Sequence, residues 1–143
     1  MKNLTTKLML AAAAFVAVAG TASAQTMEAK IPFAFRASGK VLAAGTYRVD
    51  LKSTASGAQQ LILSTASGRH EVLTFAYSAG PAKAAWQSTG EAVLSFQCGI
   101  SRCALKDVWM GSSDLVYRIS TPKLGNDEPV HTAEIVMHSV KAD

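Results

Sequence analysis

From Thr46 to Lys52 the chain alternates residue by residue: Tyr47, Val49 and Leu51 are apolar, while Thr46, Arg48, Asp50 and Lys52 are polar. A period of two sends successive side chains to opposite faces of a strand, so this segment reads as a strand with one face in a core and one in water. The same period returns at Ile31, Phe33 and Phe35, at Leu73, Phe75 and Tyr77, at Leu94 and Phe96, and at Leu115, Tyr117 and Ile119. Pro32 lacks a donor for a sheet ladder, which places the first of these strands at an edge or at a strand start. Gly45 marks a turn or bulge before Thr46.

Turn chemistry separates these segments. Ser38-Gly39 is one turn, and Gly111-Ser112-Ser113-Asp114 is another. Ser53-Thr54-Ala55-Ser56-Gly57 recurs as Ser64-Thr65-Ala66-Ser67-Gly68, eleven residues later, with a short strand from Gln60 to Leu63 between the copies. Small hydroxyl side chains that bond locally, followed by a glycine free to take positive φ, make each copy a turn. Two copies are too few for a repeat architecture. A longer connection from Ala79 to Gly90 contains Gly80-Pro81 and Trp86, residues 121–129 form a polar loop, and Val130 to Val140 is a final β-branched strand. Residues 25–29 read as a loose N-terminus. About eight strands result, with no convincing helix beyond residue 24. The expectation is an all-β fold, a small antiparallel barrel or sandwich following a helical signal peptide. Several strands are short of the roughly nine to eleven residues of a membrane-spanning strand, and no aromatic girdles are evident.

The first 24 residues have a different logic. Lys2 and Lys7 precede an apolar run from Leu8 to Ala19, followed by the small-residue site Ala22-Ser23-Ala24. This is the layout of a secretory signal peptide, with cleavage expected between Ala24 and Gln25. The run is well short of the roughly 20 residues of a spanning helix. No cysteine follows the site, which disfavours a lipid anchor. The expected organisation is a signal peptide over 1–24 and a single all-β domain over 25–143, with no transmembrane anchor in the mature chain and a periplasmic or extracellular destination. Lys2 and Lys7 also carry two of the charges behind the formal net +4. The remaining basic residues are scattered singly, which argues against a nucleic-acid partner.

Both cysteines lie beyond the leader. An even count in an oxidising compartment reads as a disulfide, and Cys98 and Cys103 sit across the loop of an expected hairpin. Four intervening residues is not the Cys-x-x-Cys spacing of a redox pair. His131, Glu134 and His138 would share one face of a helix, as metal ligands must. The β-branched residues around them favour a strand, on which His131 points away from the other two and Ala133, Ile135 and Met137 enter the core. No metal site and no cofactor is expected. His70-Glu71 opens a strand, Asp127-Glu128 lies in a loop, and the serines sit in turns without a Gly-x-Ser-x-Gly elbow, so no catalytic residue is assigned. Trp86 in the long connection is either an exposed residue at the mouth of a ligand site or a packed structural one.

The stretch from Lys30 to Val49 resembles a family of small exported bacterial proteins of unknown function. The resemblance rests on Ile31-Pro32-Phe33-Ala34-Phe35 and on Leu42-Ala43-Ala44-Gly45-Thr46-Tyr47-Arg48-Val49, with Ala43 where that family has proline. Phe96, Gly99, Leu105, Val108, Trp109 and Gly111 extend it more weakly. It implies an exported β domain and brings no catalytic residues, since the matched positions are apolar or turn-forming. Three functions follow as expectations. The first is a non-enzymatic binding or interaction module of the cell envelope, for a small apolar ligand or an envelope protein. The second is a structural or assembly protein of the envelope. A metal-dependent or hydrolytic enzyme ranks last.

Overall fold

A computed structural model describes residues 26–111, 114–121 and 129–140. The expected leader and its cleavage site between Ala24 and Gln25 lie outside the described residues, as does Asp127-Glu128. No described helix is long and apolar enough to cross a membrane.

The strands are β1 (Met27–Ile31), β2 (Phe35–Ala37), β3 (Lys40–Leu42), β4 (Gly45–Ser53), β5 (Gln59–Thr65), β6 (His70–Pro81), β7 (Val93–Cys98), β8 (Cys103–Trp109), β9 (Leu115–Arg118), β10 (His131–Val136) and β11 (His138–Ser139); one helix, α1 (Ala84–Thr89), lies between β6 and β7. The fold is all-β. The strands form one sheet in the order β10-β7-β8-β9-β6-β5-β4-β1-β11, and β2 attaches the β2–β3 hairpin to β8. Three expectations are corrected here. The described residues form eleven strands rather than about eight, because β2, β3 and β11 are two or three residues long and too brief to show a period. The sheet is mixed, since β2 meets β8 in parallel at Arg36 and Ala104. Its hydrogen-bonded path is open, so it is not a closed barrel.

Two segments carry the chain from one half of the sheet to the other. The first part of β6 pairs with β5, and its last part pairs with β9. At the other side, β10 pairs with β7 while β11 pairs with β1. Only Met137 separates β10 from β11, and its N–H donates to the Ala92 carbonyl at 2.8 Å. Inward residues of both halves meet in a single core that includes Val49, Leu61 and Leu63 from one half and Leu94, Phe96, Leu105 and Val108 from the other.

Of the expected loose terminus over 25–29, the described residues 27–29 belong to a strand. Met27, Ala29 and Ile31 are buried in β1, which pairs with β4 along its length. The alternation is there, but three apolar positions beside a leader are little to read. Ile31 to Phe35 is not one strand as expected, and Pro32 marks neither an edge nor a start: it follows the end of β1, which lies between β4 and β11, and Phe35 begins β2. The motif residues then build an aromatic nexus. Phe33 and Phe35 each meet Phe96 edge to face, at 5.1 and 5.4 Å, and Phe35 meets Tyr47 at 5.5 Å. Edge-to-face contacts set the positive rim of one ring against the negative face of another. The Tyr47 hydroxyl donates to the Ala43 carbonyl at 2.6 Å, closing the bend between β3 and β4.

The duplicated pentapeptide folds twice into the same turn. Gly57 N–H donates to Thr54 O and Gly68 N–H to Thr65 O, at 3.0 and 2.9 Å. Thr54 pairs with Ser56, and Thr65 with Ser67, through their hydroxyls. Gly57 and Gly68 have φ of 87° and 93°, the left-handed conformation that ends a three-residue hairpin loop.

Candidate functional site

No three carboxylate, imidazole or thiol groups converge among the described residues. The features that distinguish this surface are two apolar patches on the outward faces of the sheet.

The first patch is covered. Val93, Trp109 and Val116 project from β7, β8 and β9 away from the main core, and Trp86 and Ala82 close over them as a second cluster. Trp86 and Trp109 stack with centroids 6.2 Å apart and planes inclined by 19°. The segment expected as an irregular connection thus contains α1. Six residues cannot sustain a helix alone, and Lys83 gives no side-chain cap. Burial of Trp86 holds it, and Gly90 stops it by turning left-handed while its N–H donates to the Trp86 carbonyl at 3.0 Å. Trp86 is 6% exposed, so it is the packed residue of the two alternatives.

Glu134 anchors that tryptophan. Its carboxylate accepts from Trp86 Nε1 at 3.0 Å and from Lys83 Nζ, whose ammonium also lies 4.7 Å from the centre of the Trp86 ring. The Lys83 hydrogen bond is the main cause that holds the Glu134 carboxyl below its ordinary value, with Trp86 adding to it and burial opposing it. The strand reading of 131–138 gave Glu134 to water; the structure instead gives it these two partners. Ala133 and Ile135 do pack against the core, and Met137 enters it. His131 faces Cys98 across one ladder and His138 faces Glu28 across another, so the two imidazoles belong to different strand pairs.

The second patch is bare. Leu73, Phe75 and Tyr77 share the outward face of β6 and are 58%, 63% and 56% exposed. Val72 and Ala76 take the core side. Beneath the row, Ile62 faces Leu73 and Gln60 faces Phe75 on β5. Ion pairs closed within the molecule flank both ends. At one end, Glu71 accepts from Lys40 and Arg69, which lowers its carboxyl from the ordinary value. At the other, Arg118 faces Tyr77 and donates through Nε to Asp107 at 2.8 Å.

Cys98 and Cys103 face each other across the β7–β8 hairpin and are joined as a disulfide, with Cα atoms 4.0 Å apart. Gly99 N–H closes the loop onto Arg102 O at 2.7 Å. The described cavities lie at the rims of the sheet. One of about 410 Å³ borders Pro81, Gln87, Trp109 and Asp114, and another of about 370 Å³ lies near the junction of β1 and β11. No family model, curated protein or solved structure matches the chain.

Proposed function

We propose that this chain is an exported, non-enzymatic β domain of the cell envelope that binds another protein along the outward face of β6. The uncovered row Leu73, Phe75 and Tyr77 carries the reading. The largest exposed apolar patch of a monomer is often functional. The flanking charges are already paired, so an apolar partner segment meets no lone charge there. Three of the described carboxylates have structural partners: Glu134 has Trp86 and Lys83, Asp107 has Arg118, and Glu71 has Lys40 and Arg69. The leader and the resemblance at residues 30–49 support the exported setting.

The size of the row favours a segment over a second copy. An aromatic side chain offers roughly 150–250 Å² when fully buried. Three residues a little over half exposed therefore offer on the order of 300–400 Å², against about 800 Å² per partner in a standard interface. The small-ligand version finds less support, since the core residues of both halves fill the interior.

The test places a photo-crosslinking residue at Phe75 in the exported chain, with a control at Ser56 in the far turn. One discrete heteromeric adduct is expected at Phe75 and none at Ser56, and the identified partner binds the purified protein at one to one. Leu73→Ser with Tyr77→Ser abolishes that binding while the unfolding transition stays in place. An adduct of twice the chain mass would replace this reading with envelope self-assembly. A folded protein without any adduct at Phe75 would overturn it.

A further inference from the structure

The chain has five methionines, of which Met1 and Met9 precede the expected cleavage site. The other three, Met27, Met110 and Met137, line one cavity of about 370 Å³. They arrive from distant parts of the chain: Met27 opens β1, Met110 follows β8, and Met137 is the residue between β10 and β11. His138, Ser139 and Glu91 supply the polar part of the wall. Met27 and Met137 are 5% and 2% exposed, Met110 is half-buried, and His138 is exposed. His138 pairs with Glu28 and Ser139 with Met27, so the imidazole takes the face opposite the Met27 thioether. Ser139 Oγ lies 3.8 Å from Met27 Sδ, a contact in which the sulfur accepts.

A single methionine is a common filler of irregular gaps and needs no ligand to explain it. All three also touch the main core, Met27 and Met137 within it and Met110 against it, and the inference rests on their meeting at one cavity. Leucine would occupy the same volume with better-defined rotamers, and every methionine beyond residue 24 lies at this one cavity.

We propose that the cavity binds a soft monovalent d10 cation, Cu(I), through the thioethers of Met27, Met110 and Met137. Thioethers select soft cations, while Zn²⁺ takes thiolate, imidazole or carboxylate, and Mg²⁺ and Ca²⁺ take oxygen. No free cysteine competes among the described residues. Thioethers do not titrate, so a site dominated by them keeps its metal in mild acid, where metal sites of imidazole and carboxylate weaken. Binding changes no oxidation state, and the disulfide takes no part. The site is separate from the β6 face and stands or falls independently of it.

The experiment uses the exported, processed protein with its disulfide intact, labelled with [methyl-13C]methionine. It is titrated with Ag(I) as a redox-inert stand-in and then with Cu(I) under anaerobic conditions. The resonances of Met27, Met110 and Met137 are expected to shift together and saturate at one equivalent, in mild acid as at neutral pH, while Zn²⁺ leaves them in place. Met110→Leu and Met137→Leu conserve volume and so the fold, which the metal-free unfolding midpoint checks. Each weakens Ag(I) binding by roughly tenfold or more, at least the loss seen when a mere outer-shell partner is removed. His138→Gln, on the opposite face of the strand, leaves it unchanged. Resonances that stay fixed or move independently, or leucine variants that bind Ag(I) like the parent, overturn the proposal.

Discussion

The two outward patches are built from the same sheet and treated in opposite ways. Over β7, β8 and β9, the chain spends a helix to cover Val93, Trp109 and Val116 with Trp86. Over β5 and β6, it leaves Leu73, Phe75 and Tyr77 in water. Tyr77 and the helix even belong to one continuous stretch, for β6 runs on to Pro81 and α1 begins at Ala84. The covered patch shows how this fold hides outward apolar residues from within. The bare patch has no such cover among the described residues.

The sharpest way to break the comparison is to uncover the covered side. Trp86→Ala removes the lid of the second cluster and leaves Trp109 open, and a loss of about 3–5 kcal/mol is expected from chemical denaturation. A loss below about 1 kcal/mol would mean that α1 only rests on the sheet. Next in size is the double substitution Cys98→Ser/Cys103→Ser. It unclamps the far end of the hairpin whose other end pairs Val93 with Trp109. The closed loop is short, so about 2 kcal/mol is expected in the chain-entropy picture, read as a fall in the denaturant midpoint.

Acid probes the anchor of the lid. The Glu134 carboxyl is lowered in the folded state, so its stabilising contribution is complete above the unfolded value of about 4.3. That contribution fades as pH falls through the lower folded value, because only the unfolded chain takes up the proton easily. Lys83 and Glu134 are both substantially exposed, which keeps the effect under about 1 kcal/mol. Trp86 fluorescence should change in the same acid range, and Glu134→Gln should remove the change. The smallest effect belongs to the bare face. Leu73→Ser, Phe75→Ser and Tyr77→Ser should each move stability by no more than about 0.5 kcal/mol in thermal unfolding. A larger loss at Phe75 would show that the row is part of the core in solution and would erase the contrast.

Much of the strand pattern was legible. The alternation at Thr46–Lys52 became β4, the two pentapeptides became two like turns, and the spacing of the cysteines placed them opposite one another. Which side faced inward was not legible for His70–Ser78. A period of two separates two faces and does not say which is wet. There the smaller residues Val72 and Ala76 face the core, against the ordinary weighting by size. Helix α1 was hidden for another reason: six residues without a capping side chain leave no helical period, and what fixes it is Trp86 reaching Trp109, a contact far apart in sequence. Glu134 follows from the same long-range packing. The convergence of Met27, Met110 and Met137 depends on how both ends of the sheet meet at one segment, which no local window contains.

That meeting has a consequence in time. β1 fills one edge with β4, a near neighbour in the chain, but its other edge receives β11, with Met27 opposite Ser139 and Thr26 O accepting from Val140 N–H at 3.0 Å. Pairings between residues so remote are slow to form, because the intervening loop must close before any contact repays it. A chain emerging N-terminus first can assemble β1, β4, β5 and β6 early, yet it must hold an open edge on β1 until nearly its last residues arrive. Completion of the domain is therefore a late and single event. A truncation after Val136 would leave β1 paired on one side only, far from the cut in sequence and next to it in space.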